Sequence, residues 1–448
     1  MAETMTLPQQ LRQMDAGRLR RYAENLAFYG GDQWPPSTRR QNRRLVFNYA
    51  KALVDKTVSY LMSGVNIAVD PAGETPEEAV RARAAERVLA GISDANALDQ
   101  LDFDTEVDAA ILGDGAYKVT WDDAEGRVRV SAPDVQGLFA WWLGDDVSRV
   151  WRVASRYSID RESAAALYGV KPQAGARVRA AGKQTGVEIV EVWTVEELEL
   201  WADGARIDRR ENPYGFIPFV IYPNIREPKQ FWGVSDLPVI RESVRELNRA
   251  LSQLSMILEL SGNPIAVLEN VSESRDIAVI PGAVWELPER ARAYLLDLLQ
   301  GGGVKLHADY VELIYRTLHD LGESPRTAFG DNRGGLSGVA LNMELDPLLK
   351  KIARKRLIRA AAYRRRNEMV LRILEQHARP KVSYAPYRTR IVWGSVLPLD
   401  RSRLVEDERA LVEAGIHSRR RAADELGVAD PEGEFRRWLE ERSLEASG

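Results

Sequence analysis

The sequence contains no cysteine, which excludes a disulfide framework, a thiolate metal site and a cysteine nucleophile. Its four histidines, His307, His319, His377 and His417, are scattered, so no metal cluster is expected. No uncharged apolar run approaches the roughly 18 residues that a membrane span needs. The opening residues MAETMTLPQQLRQM lack the basic-then-apolar order of a signal peptide. These features predict a soluble, intracellular chain that does not engage membranes. Catalytic signatures are missing as well: HExxH, GxSxG and GxGxxG do not occur. The nearest approach to a phosphate-binding loop runs from Gly175 to Lys183 and is followed by Gln184, which gives the wrong spacing and no hydroxyl for magnesium. The acidic pairs Asp122-Asp123 and Asp145-Asp146 sit beside Gly126 and Gly144 and read as solvated turns. Neither an enzyme, nor a cofactor, nor a metal is expected.

What is present is charge, unevenly placed. The 448 residues carry a net charge of −4. Lys350 to Arg390 holds 14 basic residues against only Glu368 and Glu375, a net of +12, so the rest of the chain carries −16. On a helix, Lys351, Lys355, Arg359 and Arg366 fall close to one face. That face meets either DNA or an acidic surface on an adjacent subunit, and the second is favoured because the complementary charge must lie somewhere.

A chain of this length holds about two to four structural units. Helices are expected over 11–28, amphipathic and stopped by Gly30-Gly31, over 48–62, stopped by Gly64, and over 77–90 and 98–112, the last followed by Gly113. The period then changes to two: YKVTWDD, the turn Ala124-Glu125-Gly126 and RVRVS predict a hairpin. Further strands are expected at 150–157, 187–195, 197–201 and 216–222. The first half is therefore α+β.

Beyond Gly233, Leu237, Ile240, Val244, Leu247, Leu251, Leu254 and Leu258 alternate spacings of three and four, a heptad seam. So narrow a stripe suits side-by-side helix packing, although an ordinary core helix has the same period. A second seam comprises His307, Val311, Ile314, Leu318 and Leu321. Between the seams lies a compact insert, 263–303, with strand-like NPIAVLE and IAVIPGAVWEL and a helical stretch over Pro288–Leu299. A Gly-rich loop (327–338) precedes a long helix, 337–378, broken or kinked near Pro347. A strand (389–395) and helices from about Asp400 to Leu444 finish the chain.

The order of these segments resembles the portal proteins of tailed double-stranded DNA bacteriophages over nearly the whole length. The resemblance is carried by RRYAENLAFYGGDQW (20–34), NYAKALVDKTVSYLMSG (48–64), AILGDGAYKVTWDDAEGRV (110–128) and NPYGFIPFVIYPN (212–224). It continues in Gly233-Val234-Ser235-Asp236-Leu237 leading into Glu246-Leu247-Asn248-Arg249-Ala250-Leu251-Ser252. FGDNRGGLSGVAL (329–341), IVWGSVLPLD (391–400) and EAGIHSRRRAADELGVADPEGE (413–434) complete the series.

The resemblance implies a homo-oligomeric ring, usually of twelve copies, at one capsid vertex of the virion, assembled in the host cytoplasm. The ring would be the channel for genome packaging and ejection. Its implied partners are the terminase large subunit, head-completion or adaptor proteins, the major capsid and scaffolding proteins, and the double-stranded DNA in transit. The implied subunit has a mixed wing (1–230), a first stem helix (231–262), a clip (263–303), a second stem helix (304–324), a tunnel loop (325–338), a long helix and strand returning to the wing (339–398) and a short helical crown (399–448). Arg326, Asn332 and Arg333 would lie nearest DNA in the tunnel loop, where plain loop solvation is the competing reading. An alternative function is a DNA-binding adaptor or regulator acting through the basic 350–390 helix.

Overall fold

The computed structural model describes residues 7–35, 44–169, 186–262, 265–270, 290–296, 303–331, 338–378, 381–396, 401–428 and 431–445. The chain divides into two compact units, Met1–Val392 and Trp393–Gly448. The fold is mixed helix and sheet.

Helices α1 (Leu7–Met14), α2 (Ala16–Tyr29) and α3 (Tyr49–Leu61) open the first unit. The Asn48 side chain starts α3 by accepting from the Lys51 N–H at 3.2 Å. Strand β1 (Val65–Val69) leads to α4 (Pro76–Ala95), whose Thr75 and Glu78 form a capping box ahead of Pro76. Helix α5 (Leu98–Leu112) ends at Gly113, where φ is +112°. A side chain there would meet the backbone of residues 233–235 at about 3 Å, so glycine is required by both conformation and space.

The expected hairpin forms as β2 (Asp114–Asp122) and β3 (Arg127–Ser131). Next come β4 (Leu138–Leu143), β5 (Asp146–Ile159), α6 (Arg161–Tyr168), β6 (Val187–Trp193), β7 (Glu197–Ala202), β8 (Ala205–Glu211) and β9 (Phe219–Pro223). They make two antiparallel sheets, β4-β5-β6-β7-β8 and β3-β2-β9. The five-stranded sheet is covered on both faces, because alternate β6 residues serve different clusters. Val190 and Val192 pack with Leu11, Phe139 and Ala154, whereas Val187 and Ile189 pack with Ala164, Leu200 and Ala202.

Two long helices follow, α7 (Arg241–Gly262) and α8 (Gly303–Leu321). Between them, the described part of the insert is a two-stranded antiparallel ribbon, β10 (Ile265–Glu269) with β11 (Arg292–Leu296). The helix expected over 288–299 is therefore corrected: Arg292–Leu296 is extended and pairs with Ile265–Glu269. The remainder of that stretch, and the IAVIPGAVWEL segment, lie outside the described residues. Helix α9 (Gly338–His377) runs through Pro347 as one element. It packs over β2 and β9, and β12 (Thr389–Trp393) pairs with β1. In the second unit α10 (Arg401–Glu413), α11 (Arg419–Glu425) and α12 (Pro431–Glu445) are in contact in sequence order.

Candidate channel and assembly surfaces

The basic face of α9 points into the protein. Lys351, Lys355, Arg359 and Arg366 are 8%, 2%, 0% and 2% exposed. Lys351 reaches Gly322 O at 3.0 Å and Asp236 Oδ1 at 3.4 Å. Lys355 pairs with the other Asp236 oxygen and donates to Asn224 Oδ1 at 2.9 Å. Arg359 donates to Glu106 Oε2 (2.8 Å), Asn224 O (2.6 Å) and Asn224 Oδ1 (2.8 Å). Tyr222 donates to the second Glu106 oxygen at 2.9 Å. Arg366 forks onto Asp102, its guanidinium 4.6 and 4.7 Å from the ring centres of Tyr117 and Tyr363. The expectation that these four meet DNA or a neighbouring subunit is corrected. Their carboxylates come from α5 and the 233–237 turn of the same chain, because a buried cation must be paired and hydrogen-bonded.

Burial and paired charge contend along this row. Burial pulls the Lys355 ammonium down to about 8 despite Asp236 beside it. Burial would by itself raise the Asp236 carboxyl, but Lys351 and Lys355 override it and hold the group well below the usual carboxylate range. Close by, burial pushes the Asp114 carboxyl up to about 6, although the Tyr22 hydroxyl and the Gly233 N–H both donate to it.

The base of the Gly-rich loop is held by Arg326. Its guanidinium pairs with Glu312 on α8 and with Asp331 at 2.7 Å, and it stacks on Tyr315 with 4.8 Å to the ring centre. Arg326 is thus occupied within the subunit instead of projecting as a free cation. Asn332 and Arg333 lie outside the described residues. Beneath the loop, buried His319 donates from Nδ1 to Ser324 O at 2.6 Å, the carbonyl being able only to accept. Burial pushes its pKa down, so this imidazole is neutral at pH 7.

The first seam changes character along its length. Leu237, Ile240, Val244 and Leu247 are buried, Leu251 and Leu254 are half-buried, and Leu258 is 52% exposed. Leu237 and Ile240 precede the helix proper, which begins at Arg241. Helix α8 packs beside α7, with Tyr310 donating to Glu246 at 2.8 Å, yet it leaves Leu306 72% and Leu313 58% exposed. The spacing of Leu306, Tyr310 and Leu313 places them on one outer stripe of α8. Met256 joins Leu258 as an exposed apolar side chain on α7.

Polar anchors that sequence reasoning missed fix the root of α7. Asn248 accepts from the Phe47 N–H at 2.8 Å and donates to Gln33 Oε1 at 2.7 Å, and Ser252 accepts from the Leu45 N–H at 3.0 Å. The motif Glu246 to Ser252 contained these residues, but nothing local in the sequence indicated that they bind a segment some 200 positions earlier. The motif around Gly233 marks a crossing point too. A side chain at 233 would meet Gly113 O and Pro223 at 2.5 Å.

Among the described residues no group of three histidine or acidic side chains is arranged to hold a metal. No helix among them is long and apolar enough to cross a membrane. No curated protein matches the sequence. The model of the family described as phage portal protein, SPP1 Gp6-like, matches residues 10–447.

Proposed function

This chain belongs to the phage portal protein family, structural components of the capsid, and from that premise we propose that it assembles into a homo-oligomeric ring conducting DNA. In this reading 1–230 with 339–398 form the wing and 399–448 a crown. The stem is 231–262 with 304–324, and 263–303 is the clip that receives terminase and, later, head-completion proteins. Residues 325–338 approach the DNA.

The observation that carries the proposal is the apolar outer stripe of α8. An isolated subunit leaves Leu306 and Leu313 in water, whereas a head-to-tail ring supplies a second wall for such a stripe. The charge pattern agrees. A conduit through which DNA slides gains from burying its cations, since every phosphate neutralised at the surface raises affinity. The same observation weighs against a DNA-binding adaptor acting through 350–390, because the four cations of that face already hold partners inside the chain.

The test is functional as well as physical. Replacing 263–303 by a short Gly-rich turn is expected to leave the wing folded and abolish terminase-dependent packaging. Normal packaging by that variant contradicts the clip assignment.

A further inference from the structure

Strand β9 is an edge of the β3-β2-β9 sheet. Asn224 donates its N–H to Gly113 O at 2.7 Å and Val119 donates to Pro218 O at 2.9 Å. Even-numbered positions of this segment therefore turn their backbone groups toward β2, while Phe219 and Ile221 turn theirs away. Two cavities adjoin that edge. One, of about 310 Å³, is walled by β5 through Val147, Val150 and Val153. The other, of about 430 Å³, is walled by α9 through Leu357, Ile358 and Ala361. Both are bounded by Val220, Ile221, Pro223, Arg226 and Arg365. Successive strand residues point to opposite faces, so a groove touching both Val220 and Ile221 follows the edge of the strand and not one face.

The chemistry of the groove is one-sided. Its walls mix aliphatic residues with Phe219, Tyr222 and Phe231 and the uncharged polar Ser148 and Gln230, and Leu357 is 74% exposed at one rim. No acidic side chain lines either cavity. Arg226 is exposed and makes no ion pair among the described residues, and Arg365 reaches only Glu368 at 3.2 Å while half exposed. A strand edge with outward N–H and C=O groups, walls that carry aliphatic and aromatic side chains, and two arginines complements an extended segment that alternates apolar with acidic residues. Backbone pairing then supplies affinity, and the side chains supply specificity.

We propose that the groove between β5, the β9 edge and α9 is a docking site for a short, extended, acidic and apolar segment of another protein, added as a strand beside Phe219–Ile221. Pro223, with no N–H to offer, ends the usable edge, so the segment is short.

Fluorescence anisotropy of the full-length protein with a fluorescein-labelled octapeptide alternating valine and aspartate tests this. Saturable binding is expected, weakened by at least about ten-fold in Leu357→Asp and in Arg226→Glu. Both substitutions are at exposed positions, and thermal unfolding of each variant checks that its fold is unchanged. The matching valine–lysine peptide is expected not to bind. Equal binding by wild type and both variants, equal binding of the basic peptide, or no binding of the acidic peptide by the wild type at millimolar concentration each overturns the proposal. It fails also if Leu357→Asp dissociates wild-type oligomers, because the groove is then covered by a second copy of this chain.

Discussion

Arg359 and Glu106 are both fully buried and paired at 2.8 Å. Removing one partner of such a pair leaves an uncompensated charge, at a cost of about 3–5 kcal/mol, whereas replacing both with apolar groups is often close to neutral. Glu106→Ala is accordingly expected to destabilise the chain by about that amount in denaturant titration, and Glu106→Leu combined with Arg359→Met by much less. Similar losses for the single and double variants would show that the pair is not a coupled unit. Asp114 gives a pH signature. Its folded-state pKa of about 6 lies above the ordinary 3.8. The folded chain therefore holds more protons between those values, and stability falls as pH rises through that window. Asp114→Asn removes this contribution. The loss of stability from pH 4 to pH 7 should be greater in the wild type than in the variant by roughly 1–3 kcal/mol, and parallel profiles would refute the assignment. The sequence made the stripe of Lys351, Lys355, Arg359 and Arg366 visible but not its direction. Helical spacing defines a face, and which way the face turns depends on Asp102, Glu106 and Asp236, more than a hundred positions away.

Elements with strong local patterning were legible. The β2–β3 hairpin, the continuous α5 and the two seams appear near their expected places, because alternation and heptad spacing report directly on which side of an element is apolar. Strand β8 escaped notice since all its residues are exposed, leaving no apolar alternation to read. The ribbon strand β11 was mistaken for helix because a five-residue strand carries too short a pattern to outweigh the helix-favouring residues around it. The α7–α8 pair carries a prediction of its own. Leu306→Asp with Leu313→Asp alters only exposed positions. It should leave the circular dichroism and unfolding midpoint of the subunit nearly unchanged while weakening self-association in sedimentation velocity. Unchanged association would remove the apolar stripe from the subunit interface.

At the scale of the molecule, the net charge of −4 conceals a basic segment neutralised in part from within. Lys351, Lys355, Arg354, Arg359, Arg366 and Arg390 pair with Asp236, Glu323, Glu106, Asp102 and Asp70 of the same chain. Part of the compensating −16 thus meets the basic segment inside the same subunit. Family membership was legible because co-linear segments such as 110–128, 212–224 and 233–237 meet at one interior junction, where close backbone approach and buried ion pairs permit few residue types. Ring formation and DNA conduction had no comparable local signal, since both depend on surfaces that are complete only in an assembly. The intact protein should bind duplex DNA weakly and with a shallow salt dependence, because the principal basic face has no phosphate to neutralise. Electron microscopy of the purified protein in negative stain, with symmetry classification, tests the central claim most directly. The account predicts closed rings of identical subunits around a central hole, and a strictly monomeric protein at micromolar concentration across several salt conditions would contradict it.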